Sequence, residues 1–164
     1  MHLDGATYED TGVYTCQMPP LSDIETERRA KARSFFVKVT GKPMVTNITL
    51  SSDAVLGQPA SLRATFCADP PPTQLLWVLG QFAARPGHHS ALAHAANTTD
   101  GAHNSCFEAT LFVPALRPEM TGEVTVLVVN ALGADQLTRP LAVSRPSHVT
   151  FGGAPLNNRT ARSP

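Results

Sequence analysis

The chain has almost no net charge to work with: thirteen Lys and Arg balance thirteen Asp and Glu over 164 residues, and charged residues make up only 16%. So balanced a chain offers no basic field to hold phosphates, which excludes nucleic acid as a partner on electrostatic grounds. Long apolar runs are also missing. No stretch approaches the roughly 18–20 apolar residues needed to cross a bilayer, and the opening Met1-His2-Leu3-Asp4-Gly5 lacks the charged and apolar regions of a signal peptide. There is no Gly-x-Ser-x-Gly elbow, no phosphate-cradling glycine loop and no His-Glu-x-x-His. The expectation is therefore a chain that is not an enzyme, with no cofactor and no small-molecule substrate.

What is present is globular in balance, with 42% hydrophobic residues, unlike a disordered chain, which is richer in charge and poorer in Val, Leu and Phe. Fourteen prolines and eleven glycines punctuate the chain at short intervals, which suits many short strands better than a few long helices. Four histidines, His88, His89, His94 and His103, fall in one polar segment just before Cys106. Their spacing matches no standard zinc-ligand pattern, so they read as solvated loop residues and no metal is expected. Asn47, Asn97 and Asn158 each open an Asn-x-Thr sequon, a mild argument for a secreted, glycosylated chain.

The most specific run is Asp10-Thr11-Gly12-Val13-Tyr14-Thr15-Cys16. It resembles the immunoglobulin (Ig) superfamily, in which Asp-x-Gly-x-Tyr-x-Cys marks the E–F corner and strand F. Gly12 would permit the tight turn into the strand. Tyr14, two residues before the cysteine, matches the tyrosine corner, whose hydroxyl bonds upstream backbone. Cys16 alternates with Tyr14 toward the core. Residues 21–33 read as a charged connection and Ser34–Val39 as the returning strand G. The resemblance calls for strands A to E before Asp10, where only nine residues stand. Residues 1–40 thus read as the C-terminal F–G remnant of an Ig domain, with Cys16 unpaired, and residues 41–43 as a linker.

Residues 44–143 repeat the pattern as a second Ig domain, all-β and an antiparallel sandwich, followed by a disordered tail at 144–164. Strand A is expected over Met44–Leu50, B over Ala60–Cys67, C over Gln74–Val78, E over Phe107–Val113, F over Thr121–Asn130 and G over Leu137–Val143. Trp77, ten residues after Cys67, takes the place of the core tryptophan of the sandwich. The Pro-rich turn after Cys67 and Asn130-Ala131-Leu132-Gly133 between F and G resemble I-set domains of adhesion receptors.

One departure from the family matters. With Gly122 as the corner glycine, Met120, Val124 and Val126 stand where Asp, Tyr and Cys are usual, so the tyrosine corner and the B–F disulfide are both missing. Strands B and E are antiparallel neighbours in the resembled fold. If Leu62, Ala64 and Phe66 face inward, Cys67 faces out; if Phe107, Ala109 and Leu111 face inward, so does Cys106. The expectation is a Cys67–Cys106 bridge within one sheet; the alternative is two free thiols.

The resemblance implies an adhesion or recognition receptor fragment on the extracellular side of the plasma membrane. It would bind other cell-surface proteins, homophilically or heterophilically, through strand faces and F–G loops. Cysteine on strand E without one on strand F looks most like membrane-proximal domains of arthropod neuronal or junctional adhesion molecules. Two alternatives are the ectodomain of a receptor tyrosine kinase or phosphatase, and a soluble secreted Ig protein.

Overall fold

The computed structural model describes residues 5–17, 32–50, 53–101 and 103–145. Most of the connection read at 21–33, the sequon at Asn158 and the tail from 146 onward lie outside them.

The N-terminal part is a hairpin of β1 (Gly12–Gln17) and β2 (Ala32–Val37), which among the described residues pair only with each other. Beyond it lie β3 (Gly41–Leu50), β4 (Ala54–Val55), β5 (Ala60–Asp69), β6 (Gln74–Leu79), β7 (Phe82–Ala84), β8 (His94–Ala95), β9 (Thr99–Asp100), β10 (Cys106–Val113), β11 (Gly122–Asn130), β12 (Gly133–Leu141) and β13 (Val143–Ser144). One sheet runs β3-β5-β10-β8, with β9 also on β10; the facing sheet runs β12-β11-β6-β7. Every pairing is antiparallel except the short one of β13 with β4. Two sheets with inward-facing alternate residues make a sandwich.

The core follows from period-2 alternation. Leu62, Ala64 and Phe66 of β5, Ala109, Leu111 and Val113 of β10, Leu75, Trp77 and Leu79 of β6, and Val124, Val126 and Val128 of β11 are all buried. Trp77 is fully buried and lies in register with Val126, the position at which the resemblance called for cysteine. Aliphatic packing thus fills the place of an inter-sheet bridge. Among the described residues the indole Nε1 has no hydrogen-bond partner.

Several strands begin earlier or run longer than the sequence pattern indicates. Residues 41–43, read as a linker, form the start of β3, with Gly41 opposite Asp69. β3 absorbs register shifts between Gly41 and Met44 and between Val45 and Asn47, where the ladder is interrupted and twist rises. The polar segment before Cys106 carries β8 and β9, two-residue strands too short for alternation to betray them. Ser144, read as the first tail residue, ends β13.

The corner before each F-type strand is a 3₁₀ turn, Tyr8–Asp10 in the hairpin and Pro118–Met120 in the sandwich. In the first, the Asp10 carboxylate accepts from the Thr7 N–H at 2.7 Å and the Thr7 hydroxyl at 3.1 Å. Gly122 uses φ +104°, open only to glycine without strain. Its counterpart Gly12 is not among the glycines at positive φ, so there the capped turn, rather than glycine's freedom, redirects the chain.

Candidate functional site

The two outer surfaces of the sandwich differ in chemistry. On β3-β5-β10-β8, Arg63 and Glu108 form an ion pair at 3.2 Å. Cys67 and Cys106, directly opposite in the ladder, are joined by a disulfide with Cα atoms 3.9 Å apart. The bridge lies within this sheet, on the side away from the core, as alternation through Phe66 and Phe107 requires; those two rings stack at 5.6 Å. Asn47 is exposed, in register with Thr65 of β5, and Asn97 is exposed between β8 and β9. The Asn47 sequon therefore belongs to this sheet, while Asn97 lies at the margin of the sandwich beside Gly87, just past β7 of the other sheet.

The outer surface of β12-β11-β6-β7 is uncharged across its middle. Leu76 and Val78 of β6 lie in register with Leu127 and Thr125 of β11, which in turn face Gln136 and Thr138 of β12. The Thr125 and Thr138 hydroxyls hydrogen-bond at 2.8 Å. Leu76, Val78, Leu127 and Val129 are half-buried, leaving methyl groups at the surface. Charge on the paired positions of this side is confined to Glu123 at one end. At the other end Leu132, 57% exposed, caps the β11–β12 turn. A broad neutral sheet surface bordered by polar groups has the make-up of a protein contact area.

The sequence carries a signal for this surface. Leu75–Leu79 and Val124–Val129 are apolar at nearly every position rather than every second one, a pattern of strands covered on both sides. Read for the core only, such runs hide their outward half.

Around the corner motif, the Tyr14 hydroxyl donates to the Asp10 carbonyl at 2.9 Å, and the Tyr14 ring stacks on Phe35 at 5.9 Å. Cys16 is a free, exposed thiol opposite Arg33. Trp77 lies in the core, far from any surface role.

A second cluster was not legible in the sequence: the junction of hairpin and sandwich. Tyr8 is buried and its hydroxyl donates to the Lys42 carbonyl at 2.7 Å. Lys38 pairs with Asp69 at 2.8 Å, the carboxylate being largely buried. Asn130, also buried, donates through Nδ2 to the carbonyls of Gly41 and Pro70 at 2.8 and 3.0 Å. Its Oδ1 accepts from the Leu132 N–H at 2.9 Å. Across the sheets, the Asp135 carboxylate accepts from the Val45 N–H at 2.8 Å. These polar groups are satisfied by one another, and their arrangement is structural. Among the described residues no group of three His, Cys, Asp or Glu side chains is placed to hold a metal ion.

No protein-family profile matches the chain, and no curated protein matches it. Solved structures do. The full three-domain ectodomain of mouse nectin-like molecule 4 is similar over 86% of this chain and 43% of its own, with 21% identity and a TM-score of 0.53. A structure of Dpr2 Ig1–Ig2 in complex with DIP-Theta Ig1–Ig3 is similar over 83% of this chain and 41% of the other, with 15% identity and a TM-score of 0.52. A pair of tandem titin Ig domains is similar over 84% and 64%, with 16% identity and a TM-score of 0.49. The chain thus spans less than two thirds of the length of each of these proteins. The first two likenesses establish the fold, an immunoglobulin-type antiparallel β-sandwich.

Proposed function

We propose that this chain is part of a cell-surface adhesion or recognition receptor and that it binds other proteins without catalysing a reaction. Residues 1–40 are then the F–G end of one Ig domain, and residues 44–143 a second, I-set-like domain. The observation that carries this reading is the neutral outer surface of β12-β11-β6-β7, centred on Leu127. The Asn47 sequon supports it by its placement: a glycan there would cover the opposite sheet and leave this one bare. The Cys67–Cys106 bridge fits an oxidising, extracellular setting. Two proteins that share the fold are a nectin-like ectodomain and an Ig protein crystallised in complex with another Ig protein, and the partner class inferred for this chain is the same.

The test is a binding screen of the secreted chain against itself and a panel of Ig ectodomains. Leu127→Arg places a charge in the centre of the surface and should weaken any specific complex by about tenfold or more, the equivalent of about 1.4 kcal/mol. Thr65→Arg, on the opposite sheet, should leave the affinity unchanged. A complex that survives Leu127→Arg but not Thr65→Arg would place binding on the other sheet and overturn the assignment.

A further inference from the structure

The polar segment between β7 and β10 turns back on itself as a small hairpin. The His88 carbonyl accepts from the Ala95 N–H at 3.0 Å, and the Ala93 carbonyl accepts from the Ser90 N–H at 3.0 Å. Those two bonds flank the pair His89 and His94, which bridge each other in antiparallel register. His89 and His94 are therefore a non-hydrogen-bonded pair, the position at which facing side chains approach most closely. Their rings do so, with centroids 3.8 Å apart and planes inclined by 58°. His94 lies opposite Phe112 of β10, while its neighbours Ala93 and Ala95 are fully buried. Alternation thus turns the imidazole pair outward, beside an exposed aromatic ring.

The turn between the two histidines is held from within. The Ser90 hydroxyl donates to the Ala93 carbonyl and accepts from the N–H groups of Leu92 and Ala93, each at 3.2 Å. Preorganisation of this kind removes part of the ordering cost of bringing two donors to one ion.

We propose that His89 and His94 form a two-imidazole site for a divalent transition-metal ion of the nitrogen-preferring class, with Zn²⁺ as the reference member. Zinc–nitrogen bonds of about 2.0–2.1 Å in tetrahedral geometry set the two nitrogens roughly 3.4 Å apart, a span within reach of rings this close. No third His, Cys, Asp or Glu joins them among the described residues, so the remaining positions are open to water or to a donor from a bound partner. His88 belongs to a different environment, edge-on to Phe82 at 6.2 Å, and is not a ligand.

The experiment is a Zn²⁺ titration of the whole chain, followed by NMR of the histidine ring resonances. The rings of His89 and His94 should shift together and saturate before those of His88 and His103. His89→Ala should reduce the affinity read at His94 by at least about tenfold, since even residues that only orient a ligand carry 10- to 100-fold effects. His88→Ala should change nothing at either ring. His89 is exposed, and the same spectra report that its substitution leaves the fold intact. Independent shifts of the two rings, saturation no earlier than His88 and His103, or an unchanged His94 response in His89→Ala would each overturn the proposal.

Discussion

The Tyr8 hydroxyl donates a hydrogen bond to the Lys42 carbonyl at 2.7 Å, 34 residues along the chain, and so ties the corner of the hairpin to the first strand of the sandwich. Tyr8 stands in the slot that Pro118 occupies at the equivalent corner of the sandwich, four residues before Gly12 as Pro118 is four before Gly122. The tie works with the Lys38–Asp69 pair and with the Val39 N–H, which donates to the Thr11 hydroxyl at 3.0 Å. Tyr8→Phe removes one bond and keeps the buried ring, a loss of about 1 kcal/mol. The Val39 amide should then exchange with solvent roughly fivefold faster if this junction opens as a unit, while core amides of β11 keep their protection.

Breaking the disulfide has a larger consequence. Cys67 and Cys106 are 39 residues apart, a loop for which the chain-entropy account gives roughly 4 kcal/mol of stabilisation. The double variant Cys67→Ala/Cys106→Ala should lose about that much in urea unfolding followed by Trp77 fluorescence. Reducing agent should have the same effect on the native protein and none on the double variant.

Asn130 supplies two donors and one acceptor from a buried position. Asn130→Ala leaves the carbonyls of Gly41 and Pro70 without that partner and should cost about 2–4 kcal/mol. Asn130→Asp keeps the shape but turns carboxylate oxygen toward two carbonyl oxygens. Burial there raises the folded-state pKa of the new acid above its unfolded value. Its stability should therefore be highest at low pH and fall as pH rises through that folded-state pKa. Thermal unfolding at a series of pH values reads the slope.

Two glycines at positive φ should respond differently to alanine. Gly80, at φ +52°, would bring a Cβ against the Glu119 carbonyl oxygen, whereas Gly57, at φ +80°, has open space around it. Gly57→Ala carries only the backbone strain, about 1 kcal/mol. Gly80→Ala adds a backbone collision and should cost more than about 2 kcal/mol. Equal losses in chemical denaturation would show that the corner near Glu119 gives way freely.

Alternation made part of the fold legible in the sequence. The inward set Leu62, Ala64 and Phe66 and the outward turn of Cys67 and Cys106 follow from counting by two along a strand, whereas the core place of Trp77 and the pairing of those two strands were implied by the family resemblance. Polar side chains that reach backbone far along the chain leave no such periodic trace. Tyr8 meeting Lys42 and Asn130 meeting Gly41 and Pro70 depend on how two segments approach, which no local pattern states. β8 and β9 escaped because two residues cannot alternate. The neutral sheet surface was hidden differently: its residues were visible as apolar, and the core alone was enough to account for them. His89 and His94 were noticed as composition, but their contact depends on a four-residue turn held by Ser90.

The position of the disulfide also determines how the domain would yield to pulling. A bridge between sheets would clamp the sandwich shut, whereas this one ties two neighbouring strands of a single sheet. The sheets are left to part by peeling of side chains, with no covalent stop between them. The 39 steps of chain from Cys67 to Cys106 would remain a closed loop, withholding roughly 130 Å of contour length from a stretched chain. Under load the oxidised domain is thus a short tether, and reduction would lengthen it by that amount in a single-molecule extension trace.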